Sequence, residues 1–198
     1  MKRTALLAAL APAALLAGCA TPAYVSPVEV TRFTAPQAAL GTGTIALRAG
    51  PGEAEDSWDY TAFQAAVADE LTRLGYTVTG DGARQVAVVT VRRSVQQSGG
   101  QRSPVNVGVG GSTGSYGSGV GLGVGLNLGG NRPAEQIDTE LRVSIVPADA
   151  TDALWEGRAR FAATANSAYA DRQAAAAKLA GALFAGFPGR SGETIEVR

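Results

Sequence analysis

Thirty-three residues in the middle of the chain, Ser98 to Gly130, contain 13 glycines and a single charge, Arg102. Within them GVGLGVGLNLGG sets Val120, Leu122, Val124, Leu126 and Leu128 at every second place. Glycine also returns every fourth place, at Gly117, Gly121, Gly125 and Gly129, which is the spacing of a helical small-residue seam. A helix would pay about 1 kcal/mol for each glycine in its interior, so the strand reading wins. Val105, Val107 and Val109 form a second period-two run. Together the runs predict a hairpin with one aliphatic face and one bare face, its tip near Gly111 to Gly117. Three uses of such a ribbon stay open: a flexible or partly disordered hairpin extending the core sheet, a ribbon that pairs with another chain's edge, or membrane insertion by a ring of copies. The last follows because Val120 to Leu128 would span roughly 30 Å as a strand, near the thickness of a bilayer core. One hairpin cannot satisfy its own edges in lipid.

The flanking sequence supplies the core. Val28 to Phe33 alternates as a half-buried strand does, and Thr44 to Arg48 reads as a second. Asp56 or Ser57 can cap a helix in which Phe63, Val67, Leu71 and Leu74 recur at helical spacing and Gly75 is the stop. Tyr76 to Thr79 is a short strand, and Gln85 to Val95 is a valine-rich buried one after the Gly80 to Gly82 turn. Beyond the glycines, Ile137 to Val146 and Ala153 to Thr164 are strands separated by a turn at Asp149 to Asp152. A C-terminal helix capped by Asn166 or Ser167 runs to about Gly186, with Ala180, Leu183 and Phe184 as its packing face. Glu193 to Val197 adds an edge strand. The fold expected is α+β, an antiparallel sheet with two helices packed on one face, plus a long Gly-rich hairpin or loop. Trp58 and Trp155 are expected in the core or at a seam.

The amino terminus, MKRTALLAALAPAALLAGCA, has a basic start at Lys2 and Arg3. An apolar run from Ala5 to Leu16 follows, long enough for a secretory signal and too short to span a bilayer. It ends in Leu16-Ala17-Gly18-Cys19, which resembles the bacterial lipobox, and Cys19 is the only cysteine in the chain. The expected organisation is a lipoprotein signal peptide over 1–18 and a tether over 19–27. A single domain over 28–190 carries the Gly-rich insertion 98–130, and 191–198 form a tail. Acylation of Cys19 would anchor the chain through lipid, each buried CH₂ adding about 0.8 kcal/mol. Ala20, rather than aspartate, after the cysteine points to the outer membrane by the sorting rule of enteric bacteria.

Removing Lys2 and Arg3 leaves 15 basic residues against 17 acidic, a net of −2, with no long run of either sign. Nucleic acid is therefore not an expected partner. The chain has no histidine. That removes the commonest general base, the usual transition-metal ligand and the Ser-His-Asp arrangement together. Gly110 to Gly114 matches G-x-S-x-G, but such a match is expected by chance in this composition and lacks a strand leading into a helix. Glu53, Glu55, Asp56 and Asp59 fit a solvated turn before a helix better than a cation site, because their spacing matches no calcium loop. Arg92 and Arg93 read as exposed and edge positions of a strand. No catalytic residue, metal site or cofactor is expected.

Three stretches carry a resemblance: Asp69-Glu70-Leu71-Thr72-Arg73-Leu74-Gly75-Tyr76, Ala153-Leu154-Trp155-Glu156-Gly157-Arg158-Ala159, and Leu183-Phe184-Ala185-Gly186-Phe187-Pro188. In order and spacing they look like the landmarks of the bacterial envelope lipoproteins of domain of unknown function 4136. The resemblance covers roughly Val28 to Pro188, although Thr44 to Arg48 lacks the aromatic finish usual there. It implies no catalytic residues. The expected function is a non-enzymatic, lipid-anchored outer-membrane lipoprotein facing the periplasm and serving as an interaction or scaffold module. Cys19 would meet the membrane, and Val120, Leu122, Val124, Leu126 and Leu128 would meet an envelope protein partner. The alternative is a carrier or sensor of a small apolar ligand, in a pocket lined by Phe63, Leu71, Leu183 and Phe184.

Overall fold

The computed structural model describes residues 22–36, 38–80, 82–96, 105–114, 117–126 and 135–198. Cys19 and the signal-peptide and lipobox expectations lie outside these residues, as does Leu128. In chain order the elements are β1 (Val28–Thr34), β2 (Gly43–Ala49), α1 (Trp58–Arg73), β3 (Tyr76–Val78), β4 (Gln85–Gln96), β5 (Val105–Gly114) and β6 (Gly117–Leu126). They continue with β7 (Gln136–Pro147), β8 (Trp155–Thr164), α2 (Arg172–Phe184) and β9 (Thr194–Val197). Residues 22–96 and 135–198 form one compact unit. Its seven strands run in the order β3-β2-β4-β7-β8-β1-β9.

The sheet is mixed, which corrects the expectation of an antiparallel one. β4, β7, β8, β1 and β9 pair antiparallel, but β2 is parallel to both β3 and β4. The cause is the connection after β2. A parallel return needs a crossover of a dozen or more residues, and α1 supplies it, making β2-α1-β3 a βαβ unit. The six-residue step from β3 to β4 is short for strands that run the same way. Register explains it: β3 ends beside Ile45, where Val78 pairs, and β4 begins beside the same residue, where Gln85 pairs. The chain only has to cross β2 at one level. Thr79 N–H bonds the Ile45 carbonyl at 2.9 Å and Arg84 N–H bonds Thr44 Oγ1 at 3.0 Å.

Period-two alternation sends one face of every long strand to the helices. Trp155, Gly157, Ala159, Phe161 and Ala163 of β8 are buried, as are Ile137, Thr139, Leu141, Val143 and Ile145 of β7. Tyr60, Phe63, Val67 and Leu71 of α1 and the alanine-rich inner side of α2 close over them. Burial of each such aliphatic or aromatic side chain stabilises the fold by about 1.5–3 kcal/mol. Phe63, Leu71, Leu183 and Phe184 are at most 3% exposed and belong to this one core. Trp155 is fully buried as expected. Trp58 is 82% exposed at the first position of α1, so the expectation of a core or seam residue fails for it. Its place on the helix explains this: the stripe of Tyr60, Phe63, Val67 and Leu71 turns Trp58 away from the sheet.

Ser57 caps α1, its hydroxyl accepting the Tyr60 N–H at 3.1 Å. Gly75 has φ +100° and ends that helix as expected. The cap of α2 is Asp171, whose carboxylate accepts the Ala174 N–H at 2.9 Å. It replaces the expected Asn166 or Ser167 because a 3-10 turn, Ala168–Ala170, intervenes. Asp171→Ala is expected to lower stability by about 1 kcal/mol, read as the shift of a urea unfolding midpoint, whereas Ser167→Ala removes no cap.

β5 and β6 form a separate two-stranded antiparallel sheet. The expected hairpin is therefore present, as a ribbon of its own and not as a continuation of the core sheet. Val105, Val107 and Val109 pair with Leu126, Val124 and Leu122, and Gly108 and Gly110 pair with Gly123 and Gly121.

Candidate functional site: an open polar sheet face

Among the described residues of the seven-stranded unit, two helices cover one face of the sheet, and on the other face the stretch of β4, β7, β8, β1 and β9 around Glu140 is polar. Three rows cross them. Arg92 of β4, Glu140 of β7, Arg160 of β8, Glu29 of β1 and Glu196 of β9 stand side by side, an almost strict alternation of sign across five strands. One row away come Thr90, Arg142, Arg158, Thr31 and Thr194. On the other side Ser94 faces Asp138 and Asp138 faces Ala162. These rows floor an open depression of about 580 Å³ whose charged lining includes Arg92, Asp138, Glu140, Arg142, Arg158 and Arg160.

Glu140 organises the centre. Arg142 and Arg158 are directly paired across β7 and β8, and like charges in that position repel. Glu140 accepts from Arg142 Nε at 2.6 Å and from Arg158 Nε at 2.7 Å, so one carboxylate ties both guanidinium groups. Burial alone would raise the Glu140 carboxyl, but the hydrogen bonds and charges of Arg142 and Arg158 outweigh it and keep it below its ordinary 4.5. Arg160 Nε donates to Glu29 Oε2 at 2.6 Å, and the hydroxyls of Thr31 and Thr194 meet at 2.8 Å.

A carboxyl with a depressed folded pKa adds stability above its unfolded value, and the gain is lost as pH falls through the folded one. The arginines are nearly half exposed. Glu140→Gln is therefore expected to cost only about 1 kcal/mol at neutral pH. The deficit should shrink as pH drops below 4.5. Unfolding midpoints of both proteins between neutral pH and acid check the size and the sign.

The other residues singled out in the sequence are dispersed. Glu53 Oε1 accepts the Val91 N–H at 2.9 Å and so finishes the edge of β4 just past the last β2 pair, Ala49 with Val89. Asp59, in the first turn of α1, meets Arg172 Nε at 2.6 Å and Arg93 Nη1 at 3.7 Å, while Arg93 Nη2 also donates to the Ala170 carbonyl. Glu53 and Asp59 of the acidic cluster thus take separate structural duties. Among the described residues no three His, Cys, Asp or Glu side chains are placed to hold a metal ion. Arg92 lies on the open face, and Arg93 lies on the helix side. Val120, Leu122, Val124 and Leu126 all lie in β6.

Arg32 is a residue the sequence reading passed over. It is 5% exposed on the helix-covered face and donates from Nη2 to the Ala182 carbonyl at 3.0 Å, near the carbonyl end of α2 where a cation is favoured. Burial lowers its pKa from the ordinary value. The alternation Val28, Val30, Arg32 was the available signal.

Among the described residues the seven-stranded unit is thus a mixed sheet with two helices on one face and a charged stretch on the other. Residues 42–189 match the family described as Domain of unknown function (DUF4136), and the chain belongs to that family. The match begins at the start of β2, later than Val28. An uncharacterized protein of Zymomonas mobilis subsp. mobilis is 29% identical over 215 aligned positions, covering 87% of this chain and 80% of that protein. A PDZ domain protein from Parabacteroides distasonis aligns with a TM-score of 0.47 and 13% identity over 88% of this chain, which spans 38% of that protein's length. The PelC dodecamer from Paraburkholderia phytofirmans aligns with a TM-score of 0.44 and 10% identity, covering 83% of this chain and 99% of that one.

Proposed function

We propose that this chain is a lipid-anchored lipoprotein of the outer membrane, facing the periplasm, that acts without catalysis as an interaction module. The Leu16 to Cys19 tetrad supports the anchor. The observation that carries the interaction role is the sheet face that no described helix covers, where Arg92, Glu140, Arg160 and Glu29 stand in one row within reach of a polar partner. The carrier reading needs space among Phe63, Leu71, Leu183 and Phe184, and all four are buried members of one continuous core.

Two measurements test the proposal. Mass analysis of the mature protein is expected to find an acylated Cys19 at its amino terminus, and an unmodified terminus elsewhere overturns the anchor. A photo-crosslinker in place of Arg158, on the open face, is expected to give discrete adducts in intact cells. The same group in place of Asp69, exposed on α1, is expected to give none. Equal labelling from both positions removes the role assigned to the open face.

A further inference from the structure

The β5–β6 ribbon presents a problem that one copy of the chain leaves unsolved. Each strand pairs only with the other, so each keeps one edge without a partner strand among the described residues. A lone two-stranded ribbon is marginal in water. Residues 105–126 contain no charged residue that would blunt those edges.

Register and length narrow what could complete the ribbon. Each strand has 10 residues, about 33 Å of extended chain. Tilted by about 40°, as barrel strands are, that length matches an apolar band about 25 Å tall. The pairing sets aliphatic positions opposite aliphatic ones, Val105 with Leu126, Val107 with Val124 and Val109 with Leu122. Small or polar positions face each other between them, Asn106 with Gly125, Gly108 with Gly123 and Gly110 with Gly121. Val105 to Val109 and Val120 to Leu126 thus alternate apolar with small or polar positions, the pattern of membrane-spanning barrel strands.

The end of the sheet beside Tyr24 is an independent indication. Gln96 pairs with Gln136, Gln136 pairs with Thr164, and Thr164 N–H bonds the Tyr24 carbonyl at 2.9 Å. These four residues form one row across the sheet. Gln96 and Gln136, which flank the insertion in sequence, therefore lie at the same end of the sheet as Tyr24. Strand spacing puts Gln96 within about 15 Å of Tyr24. At that end Tyr24 is 55% exposed, Trp58 82% and Val95 60%. Trp58 is placed there by its neighbour Asp59, which reaches Arg93. Tyrosine and tryptophan are the residues enriched at the headgroup level of a bilayer.

We infer that β5 and β6 form a membrane-inserting hairpin, and that several copies of this chain, each held by its own Cys19, join these hairpins edge to edge into a closed β-barrel. The inference rests on the lipid anchor proposed above. Closure gives every strand edge a partner, the condition for spanning lipid. Two strands per copy make about four copies the smallest ring that reaches the roughly eight strands of the smallest barrels. The valine and leucine positions take the lipid side, with Gly111, Thr113 and Ser118 on that side near the tip, and Asn106, Ser112 and the remaining glycine positions take the lumen. No helix among the described residues is long and apolar enough to cross a membrane, a test that does not bear on strands.

The test uses the full acylated protein reconstituted into phosphatidylethanolamine–phosphatidylglycerol vesicles loaded with a self-quenching dye. Dye release is expected, together with a mass in mild detergent that is a multiple of one chain. Val124→Asp is expected to reduce release at least about tenfold, because every copy in the ring carries the charge into lipid. Gly123→Asp, one residue away on the lumen side, is expected to leave release within about twofold. Melting of the seven-stranded unit should be the same in both variants. Trp58 should become shielded from acrylamide on vesicle binding, and Trp58→Phe should remove that change. An acylated, vesicle-bound protein that stays monomeric and releases no dye overturns the barrel and leaves the anchor standing. Equal loss in both aspartate variants also overturns it. An unacylated chain overturns the anchor and the barrel together.

Discussion

Trp155→Ala is expected to destabilise the seven-stranded unit by about 3–5 kcal/mol, a large share of the roughly 5–15 kcal/mol that a domain has in total. The indole is fully buried. It stacks on Phe184 with centroids 5.4 Å apart and an interplanar angle of 18°, and it meets Phe187 at 5.1 Å. Its Nε1–H donates to the Pro188 carbonyl at 2.9 Å. One side chain therefore ties the start of β8 to the end of α2 and to the loop beyond it. Alanine would leave a cavity between strand and helix and remove the bond to the Pro188 carbonyl. Urea unfolding followed by far-ultraviolet circular dichroism gives the loss directly. Trp155→Phe should restore part of the packing but not the Pro188 bond, and so should fall between the two. A loss under about 1 kcal/mol for Trp155→Ala would show that the loop and α2 are fixed by other contacts.

Element positions were legible in the chain because apolar periodicity is local. Phe63, Val67 and Leu71 announce α1, and Ile137, Leu141, Val143 and Ile145 announce β7. Strand direction was not, since a period of two is the same whichever way a strand runs. β2 became parallel to β3 through the α1 crossover, and nothing in Thr44 to Arg48 records that. The cap of α2 was misplaced by a few residues because Asn166, Ser167 and Asp171 all suit a cap, and the 3-10 turn between them decides. The open face was half legible. Asp138, Glu140, Arg142, Glu156, Arg158 and Arg160 visibly alternate with buried positions, yet the row that aligns Arg92, Glu140, Arg160 and Glu29 depends on register between distant strands. Arg32 and Trp58 mark the limits of reading by residue type. The first is a cation carried inward by the alternation of β1, and the second is an aromatic at a helix position outside the packing stripe.

Gly157→Ala is expected to cost about 1–3 kcal/mol or somewhat more by overpacking, although alanine is ordinarily the better strand residue by about 0.5–1 kcal/mol. Residues 155 and 157 point to the same side of β8, and the indole of Trp155 lies across the glycine. A Cβ on Gly157 would sit 2.2 Å from Cη2 of Trp155, 2.8 Å from its Cζ2 and 2.8 Å from Cδ1 of Leu183. The ring cannot swing clear, because Phe184, Phe187 and the Pro188 carbonyl hold its other contacts. The Trp-x-Gly pair and the Phe-Pro pair, separate landmarks in the sequence, are thus one packing unit in space. A double-mutant cycle makes the point measurable: Gly157→Ala should lose most of its penalty in the Trp155→Ala background, where only the Leu183 contact remains to be relieved. Coupling energies of contacting residues run to about 0.5–3 kcal/mol. Additive losses would mean that the alanine methyl is resisted by the backbone of β8 and not by the indole above it.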